Sequence, residues 1–471
     1  MSKRNLNSEW LDQETAACKF KDKRLDKRFK SLLTQLWSGI GETVPVACQD
    51  WANTKAAYRF LSNDRVNEKE ILYGHFQSTQ ERFSKSKSPV LVLQDTTTFS
   101  YQRDKPELVG ITHLLKQGNL FAKPKYHTQC GIQMHSSLVV TTEGLPLGLG
   151  AIKFWTRKKF KGTNALKKHI NPTRISIEKK ESYRWLESMR ESTSLLNDPS
   201  RCIHVGDRES DIYELFCTAK EIGTNFLVRT CVDRLAGDGK HTIAAEMDEV
   251  HVKGFHHIEV QDNKGNFSEA VLEIKYHRIK VLPPIGKQKQ YPELWLTVIH
   301  AEERKKPKNR NKIIWKLITN LSVISTREAI EKVYWYSLRW KIETFHKILK
   351  SGCKAESSKL RTASRLANLL AVFCILSWRI FWMTMLNRCK PKAPATLALT
   401  KKEIELLSHL MKSKGKIQIN LSNFIIKIAK LGGYLARASD PPPGNIVMWR
   451  GVSRLTDIML GFELGRKIVG N

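Results

Sequence analysis

Near residue 88 the apolar side chains stop recurring at helical spacing and begin to alternate, which separates an all-helical start from a mixed centre. Before the switch, Leu25, Phe29, Leu32, Leu33 and Leu36 share one helical face, while Lys21, Lys23, Arg24, Lys27, Arg28 and Lys30 crowd the others. A second helix signal, "QDWANTKAAYRFL", carries aromatic anchors at Trp51, Tyr58 and Phe60, so residues 1–70 are expected to form a compact helical module with a core of its own. After the switch, "SPVLVLQDTTTFSY", "CGIQMHSSLVVTTEGLPLGLGAIKF" and "RCIHVGDRESDIYELF" predict strands over 90–94, 131–141, 146–154, 202–206 and 225–229, with a hairpin turn at Glu143-Gly144. Helical patterns over 181–196 and 209–222 fall between them, the signature of an α/β sheet layered by helices. Further short strands over about 230–325 read as a β insertion, the chain is helical again from 326, and a third, mainly helical unit follows from about 390 with a break at "DPPPGN".

Length and charge narrow the class. The 471 residues suit two to four structural units. The 79 Lys and Arg against 46 Asp and Glu leave +33 spread along the chain, which favours a polyanionic partner, nucleic acid first. Twelve Trp and 41% hydrophobic residues describe a folded globule and not a basic tail. The nine cysteines include no C-x-x-C pair, which argues for reduced thiols and against a structural zinc site. The N-terminus shows no apolar leader, and the run "LANLLAVFCILSWRIFWMTML" is interrupted by Asn368 and Arg379. A buried helix, no membrane partner and a cytoplasmic location are therefore expected.

Three acids stand out. Asp95 follows "VLVLQ" and Asp207 follows "CIHVG", and the ends of strands in α/β sheets are where functional crevices open. The third, Glu343, is the single acid of "YWYSLRWKIETFHKILK" (334–350). There Trp335, Leu338, Ile342, Phe345 and Leu349 make a core stripe, and about 100° round the helix Tyr336, Arg339, Glu343 and Lys350 align on a second face. Glu343 suits surface ion pairs with Arg339 and Lys347, or it holds a metal while its neighbours grip phosphate. Asp207 equally suits a helix N-cap and Asp95 a turn cap. Taken together, three hard oxygen donors suit Mg2+ or Mn2+, and two such ions about 4 Å apart perform phosphoryl transfer. Only tertiary folding could unite acids so far apart in the chain.

The stretches "LVLQDTTTFSY" and "HVGDRESDIYEL", with the complete pattern Tyr336, Arg339, Glu343, Lys350 and the neighbouring "RWKIETFHK" and "KSGCKAE", resemble the DDE transposases of the insertion-sequence-four family. Similarity extends to "AAYRFL" near one end and "IAKLGGYL" near the other. The resemblance implies an RNase H-like catalytic core with a β-strand insertion, flanked by N-terminal and C-terminal helical domains. The expected layout is a DNA-binding domain over 1–70, the catalytic domain over 71–389 with its insertion at about 230–325, and a dimerisation domain over 390–471.

It further implies that Asp95, Asp207 and Glu343 bind two Mg2+ or Mn2+ ions per active site and are catalytic. Tyr336, Arg339 and Lys350 would hold double-stranded transposon-end DNA with Lys347 close by, and Trp315 would stack on a flipped base. The implied activity is cut-and-paste transposition through a hairpin, with the 3′ ends joined to target DNA by a homodimer in a synaptic complex on the bacterial nucleoid. A non-catalytic DNA-binding repressor is the competing reading, but all three acids are present. An RNase H-like nuclease or junction resolvase is another, and it has no need of Trp315 or the full Tyr-Arg-Glu-Lys face. The basic loop 155–184 is open between lining the DNA channel and being a mobile surface segment.

Overall fold

A computed structural model describes residues 9–117, 125–157, 175–261, 267–410 and 420–469; most of the basic loop, 158–174, lies outside them. Strands β1 (Val90–Tyr101), β2 (Ile111–Gln117), β3 (Lys125–Thr141), β4 (Pro146–Trp155), β5 (Cys202–Gly206) and β6 (Asn225–Arg229) make the first half of the sheet. The second half is β7 (Leu235–Ala236), β8 (His241–Thr242), β9 (Gly254–Gln261), β10 (Phe267–Val281), β11 (Leu294–Glu303) and β12 (Ile314–Thr319). All twelve belong to one mixed sheet of order β2-β3-β1-β5-β6-β12-β11-β10-β7-β8, with β4 on β3 and β9 on β10. Around β1 the order β4-β3-β1-β5-β6 is antiparallel on one side and parallel on the other. That is the arrangement expected of an RNase H-like core. The β insertion is no separate sheet: β12 pairs antiparallel with β6, so its strands extend the central sheet. The predicted hairpin joins β3 to β4, with Gly144 at φ +86°, a conformation open to glycine at little cost.

Helices α1 (Glu9–Thr15), α2 (Lys23–Ser38), α3 (Val44–Cys48), α4 (Trp51–Leu61) and α5 (Glu68–Ser84) precede the sheet. The α2 face is as predicted, with Phe29, Leu32, Leu33 and Leu36 buried and Asp22 capping the first turn. The expected private core is not found. The apolar faces of these helices belong to one continuous cluster that also takes in Leu91 and Leu93 of β1 and the helices beyond residue 363.

The reason lies in a later helix. In chain order the next helices are α6 (Tyr183–Leu196), α7 (Tyr213–Glu221), α8 (Ile243–Glu249), α9 (Thr326–Ser337), α10 (Trp340–Lys347), α11 (Ala363–Cys389), α12 (Lys401–Leu410), α13 (Leu421–Leu431) and α14 (Asn445–Val469). Every residue of α11 from Leu366 to Asn387 is buried. A helix apolar all round needs partners on every side, and elements from both ends of the chain supply them. The Asn368 amide donates to the carbonyls of Leu61 and Val66, the Trp378 indole to Pro146 at the start of β4, and the Arg379 guanidinium to Ala398. By length and composition α11 could cross a membrane, but its apolar window is wholly buried within the protein.

Candidate active site

Strands β1 and β5 run parallel and in register from Val90 beside Cys202 to Leu93 beside Val205. Two residues beyond that last pair stand Asp95 and Asp207, so the two carboxylates leave the sheet at matching height. There the strands part. β1 continues through the Thr96–Thr98 run, bonded to β3 with Asp95 opposite Ser136, while β5 ends at Gly206 and turns into a short 3-10 helix, Arg208–Ser210. The predicted strand end at residue 94 is thus a strand interior, because β-branched threonines extend the ladder that a run of turn-formers would have ended. Asp95 caps no turn; one of its oxygens accepts the Thr96 N–H at 2.8 Å. Asp207 does cap its 3-10 helix, accepting the Glu209 N–H at 2.9 Å. A side chain at Gly206 would meet Ser210 Cβ at 2.7 Å, so this tight turn needs glycine.

The stretch 334–350 is not one helix. α9 ends at Ser337, α10 begins at Trp340, and a π-turn, Ile348–Gly352, follows, a feature common at functional sites. No Pro or Gly marks the joint, where the Arg339 N–H donates to the Tyr336 carbonyl at 3.0 Å in a tightened i+3 bond. The core stripe survives, with Trp335, Leu338, Ile342, Phe345 and Leu349 all buried. The second face is bent. Tyr336 is buried with its ring edge-on to Trp315, centroids 5.4 Å apart. Trp315 itself is half-buried on β12, Lys347 is exposed, and Lys350 is half-buried, its Nζ 5.6 Å from the Phe99 ring centre.

Arg339 lies between two of the acids, its Nη2 2.7 Å from Glu343 Oε1 and its Nη1 4.0 Å from Asp95 Oδ2. Burial pushes the Asp95 carboxyl up to about 7, opposed by the Thr96 N–H and the Arg339 charge and reinforced by the negative charges of Asp207 and Glu343. All three acids therefore act on one crevice. Among the described residues no group of three or more His, Cys, Asp or Glu stands ready to hold an ion. The donors fit a hard divalent cation in kind, but a guanidinium spans the gap between two of them.

Beneath the acids runs a buried hydrogen-bond chain that sequence reading missed. Arg184 Nε donates to Thr96 Oγ1, whose hydroxyl donates to His135 Nδ1; His135 Nε2 donates to Gln94; Gln94 donates to His204 Nδ1; and His204 Nε2 donates to Thr193. Every link runs in one direction and fixes both tautomers. Burial keeps both rings neutral, His135 far below its usual range and His204 down to about 3. The chain clamps the residues on either side of Asp95. His346 flanks it on another side, its Nε2 2.9 Å from Ser136 Oγ and its Nδ1 3.9 Å from Asp95.

Comparison with known families agrees with this geometry. Residues 7–66 match the family model described as transposase DNA-binding, and residues 251–378 match the transposase DDE domain. The chain carries a transposase DDE domain beside a transposase DNA-binding segment. That domain marks an enzyme, a metal-dependent DNA nuclease and strand transferase. Its DDE match contains Trp315, Tyr336, Arg339, Glu343, Lys347 and Lys350, whereas Asp95 and Asp207 precede it and rest on the crevice geometry.

Proposed function

We propose that this transposase moves its element by cut-and-paste chemistry of the insertion-sequence-four type: it binds the terminal repeats, nicks, forms and resolves a hairpin, and joins the 3′ ends to target DNA. The observation that carries this reading is the matching height of Asp95 and Asp207 on neighbouring parallel strands, with Glu343 entering the same electrostatic environment from α10. Asp95, Asp207 and Glu343 would hold two Mg2+ or Mn2+ ions. When bound, such ions activate a water or 3′-hydroxyl and stabilise the leaving oxygen. Arg339, Lys347 and Lys350 would orient phosphates, with Arg339 suited to bidentate contact.

Tyr336 is assigned here a bracing role. Its burial against Trp315 favours holding that indole in place over direct contact with DNA. A braced, half-exposed indole suits stacking on a flipped base. Trp315→Ala should therefore slow hairpin formation by about tenfold or more while the first nick changes little, since base–aromatic stacking is worth about 1–3 kcal/mol. Equal slowing of both steps in a single-turnover time course would reduce Trp315 to packing.

In this reading residues 1–70 recognise the ends, 71–389 catalyse and 390–471 pair two protomers, because cutting two ends with one site per chain calls for at least a dimer. The deciding experiment incubates the protein and Mg2+ with a labelled duplex carrying the element end and resolves products on a denaturing gel. A nick followed by a hairpin supports the proposal. A nick without a hairpin points to another excision route, and binding with no product points to the repressor.

A further inference from the structure

We propose that Arg339 is an internal cation that competes with the divalent metal for Asp95 and Glu343, so that the ion loads fully only once the guanidinium has been drawn away. This rests on the assignment of those two acids as metal ligands. The guanidinium is buried, at 8% exposure, yet it is poorly satisfied: its Nε lies in the interior with no hydrogen-bond partner. Burying such a donor unpaired is costly, so a fully satisfied structural arginine is not what holds it there. Glu343 holds it by a 2.7 Å charge-assisted bond and Asp95 attracts it from 4.0 Å, with the Tyr336 side chain as a neutral hydrogen-bond partner. Its charge thereby offsets part of the repulsion among carboxylates in the crevice, a task that a metal ion would otherwise perform.

A guanidinium does not lose its proton in proteins, so the charge can leave only by rotation of the side chain. A surface waits nearby. The Trp340 ring is 5.4 Å from the Arg339 guanidinium carbon, and Trp340 is 61% exposed, so a short swing keeps a cation–π contact while reaching solvent. A DNA phosphate entering the crevice offers the fork two oxygens in place of Glu343. DNA binding and metal loading are then linked, and each tightens the other by the same factor. Without DNA the site stays neutralised by its own arginine and short of metal, which restrains cleavage away from substrate.

The test measures Mn2+ binding to the full chain by the electron paramagnetic resonance signal of free Mn2+, with circular dichroism to establish folding. Arg339→Gln should bind Mn2+ at least about tenfold more tightly than wild type, with Arg339→Lys between them. A short duplex, corrected for Mn2+ held by the DNA alone, should tighten binding in wild type and add little in Arg339→Gln. Unchanged or weaker Mn2+ affinity in folded Arg339→Gln overturns the inference, as does equal tightening by DNA in both proteins. Asp95→Asn separates the two failures. If it weakens Mn2+ binding while Arg339→Gln gives no gain, only the competition is wrong; if it leaves Mn2+ affinity intact, the assignment of the metal site falls as well.

Discussion

Glu343→Gln is expected to lower DNA strand cleavage by about a thousandfold or more while end binding stays within about threefold of wild type. The substitution keeps the size of the side chain and one acceptor oxygen, so the contact with Arg339 at the α9–α10 joint weakens without opening a cavity. What it removes is a charge in a crevice where, on the proposed reading, each carboxylate would contribute to holding a cation. Losing several kcal/mol of transition-state stabilisation corresponds to three or more decades in rate. Binding depends instead on the basic surface, from which this change takes no cation, so a mobility-shift titration at fixed salt should hardly move. A variant that cleaves within tenfold of wild type would remove Glu343 from the catalytic set.

Asp95→Asn should make the metal-free protein more stable at neutral and alkaline pH, although it abolishes activity. The folded carboxyl titrates near 7, far above the ordinary aspartate range, chiefly because it is buried. Below about pH 4 both folded and unfolded chains hold the proton and the group costs nothing. As pH rises towards 7 the unfolded chain releases its proton first, so stability falls through that window and levels off above it. Asparagine has no proton to lose, and the fall should be missing. At about 1.4 kcal/mol per unit, the variant should gain on the order of 4 kcal/mol over wild type at pH 8 and about 1 kcal/mol at pH 4.5. Denaturant melts in the presence of a chelator at those two pH values provide the check. An Asn-minus-wild-type difference that is the same at both would mean that burial does not raise the Asp95 carboxyl in the folded protein.

The parts of this fold legible in the sequence were those in which burial imposes a period. The strands around Leu91, Val139, Ile203 and Phe226, the stripe Trp335 to Leu349 and the buried helix through Trp378 follow from apolar spacing alone. That Asp95 and Asp207 close their apolar runs was legible, but their equal height needs the side-by-side register of β1 and β5. The break after Ser337 was hidden, since it arises from one tightened backbone bond and carries no glycine or proline. Spacing did point to the pair of Arg339 with Glu343, but not to Asp95 as a second acid beside the same guanidinium, which electrostatics in three dimensions decides. The histidine chain did leave a signal. Gln94 and His204 interrupt runs that must be buried, and buried polar groups demand partners. Following that demand from strand to strand would have led to His135 and Thr96. The private core expected for the first helices failed because the apolar surface of α11, far along the chain, is large enough to need them.

That helix has a mechanical consequence. Through Asn368 it is fastened to the segment after α4, through Trp378 to the β3–β4 hairpin that borders the strands carrying Asp95 and Asp207, and through Arg379 to the chain before α12. The segment matching transposase DNA-binding and the acids proposed to cut are thus mounted on a common spindle and not joined by a hinge. A duplex gripped at one station would be indexed at the other, as stock is in a jig, and the helix would set a ruler between recognition sequence and scissile bond. An element end with one base pair inserted between the two would be gripped as firmly as before, and the wrong phosphodiester would arrive under the blade.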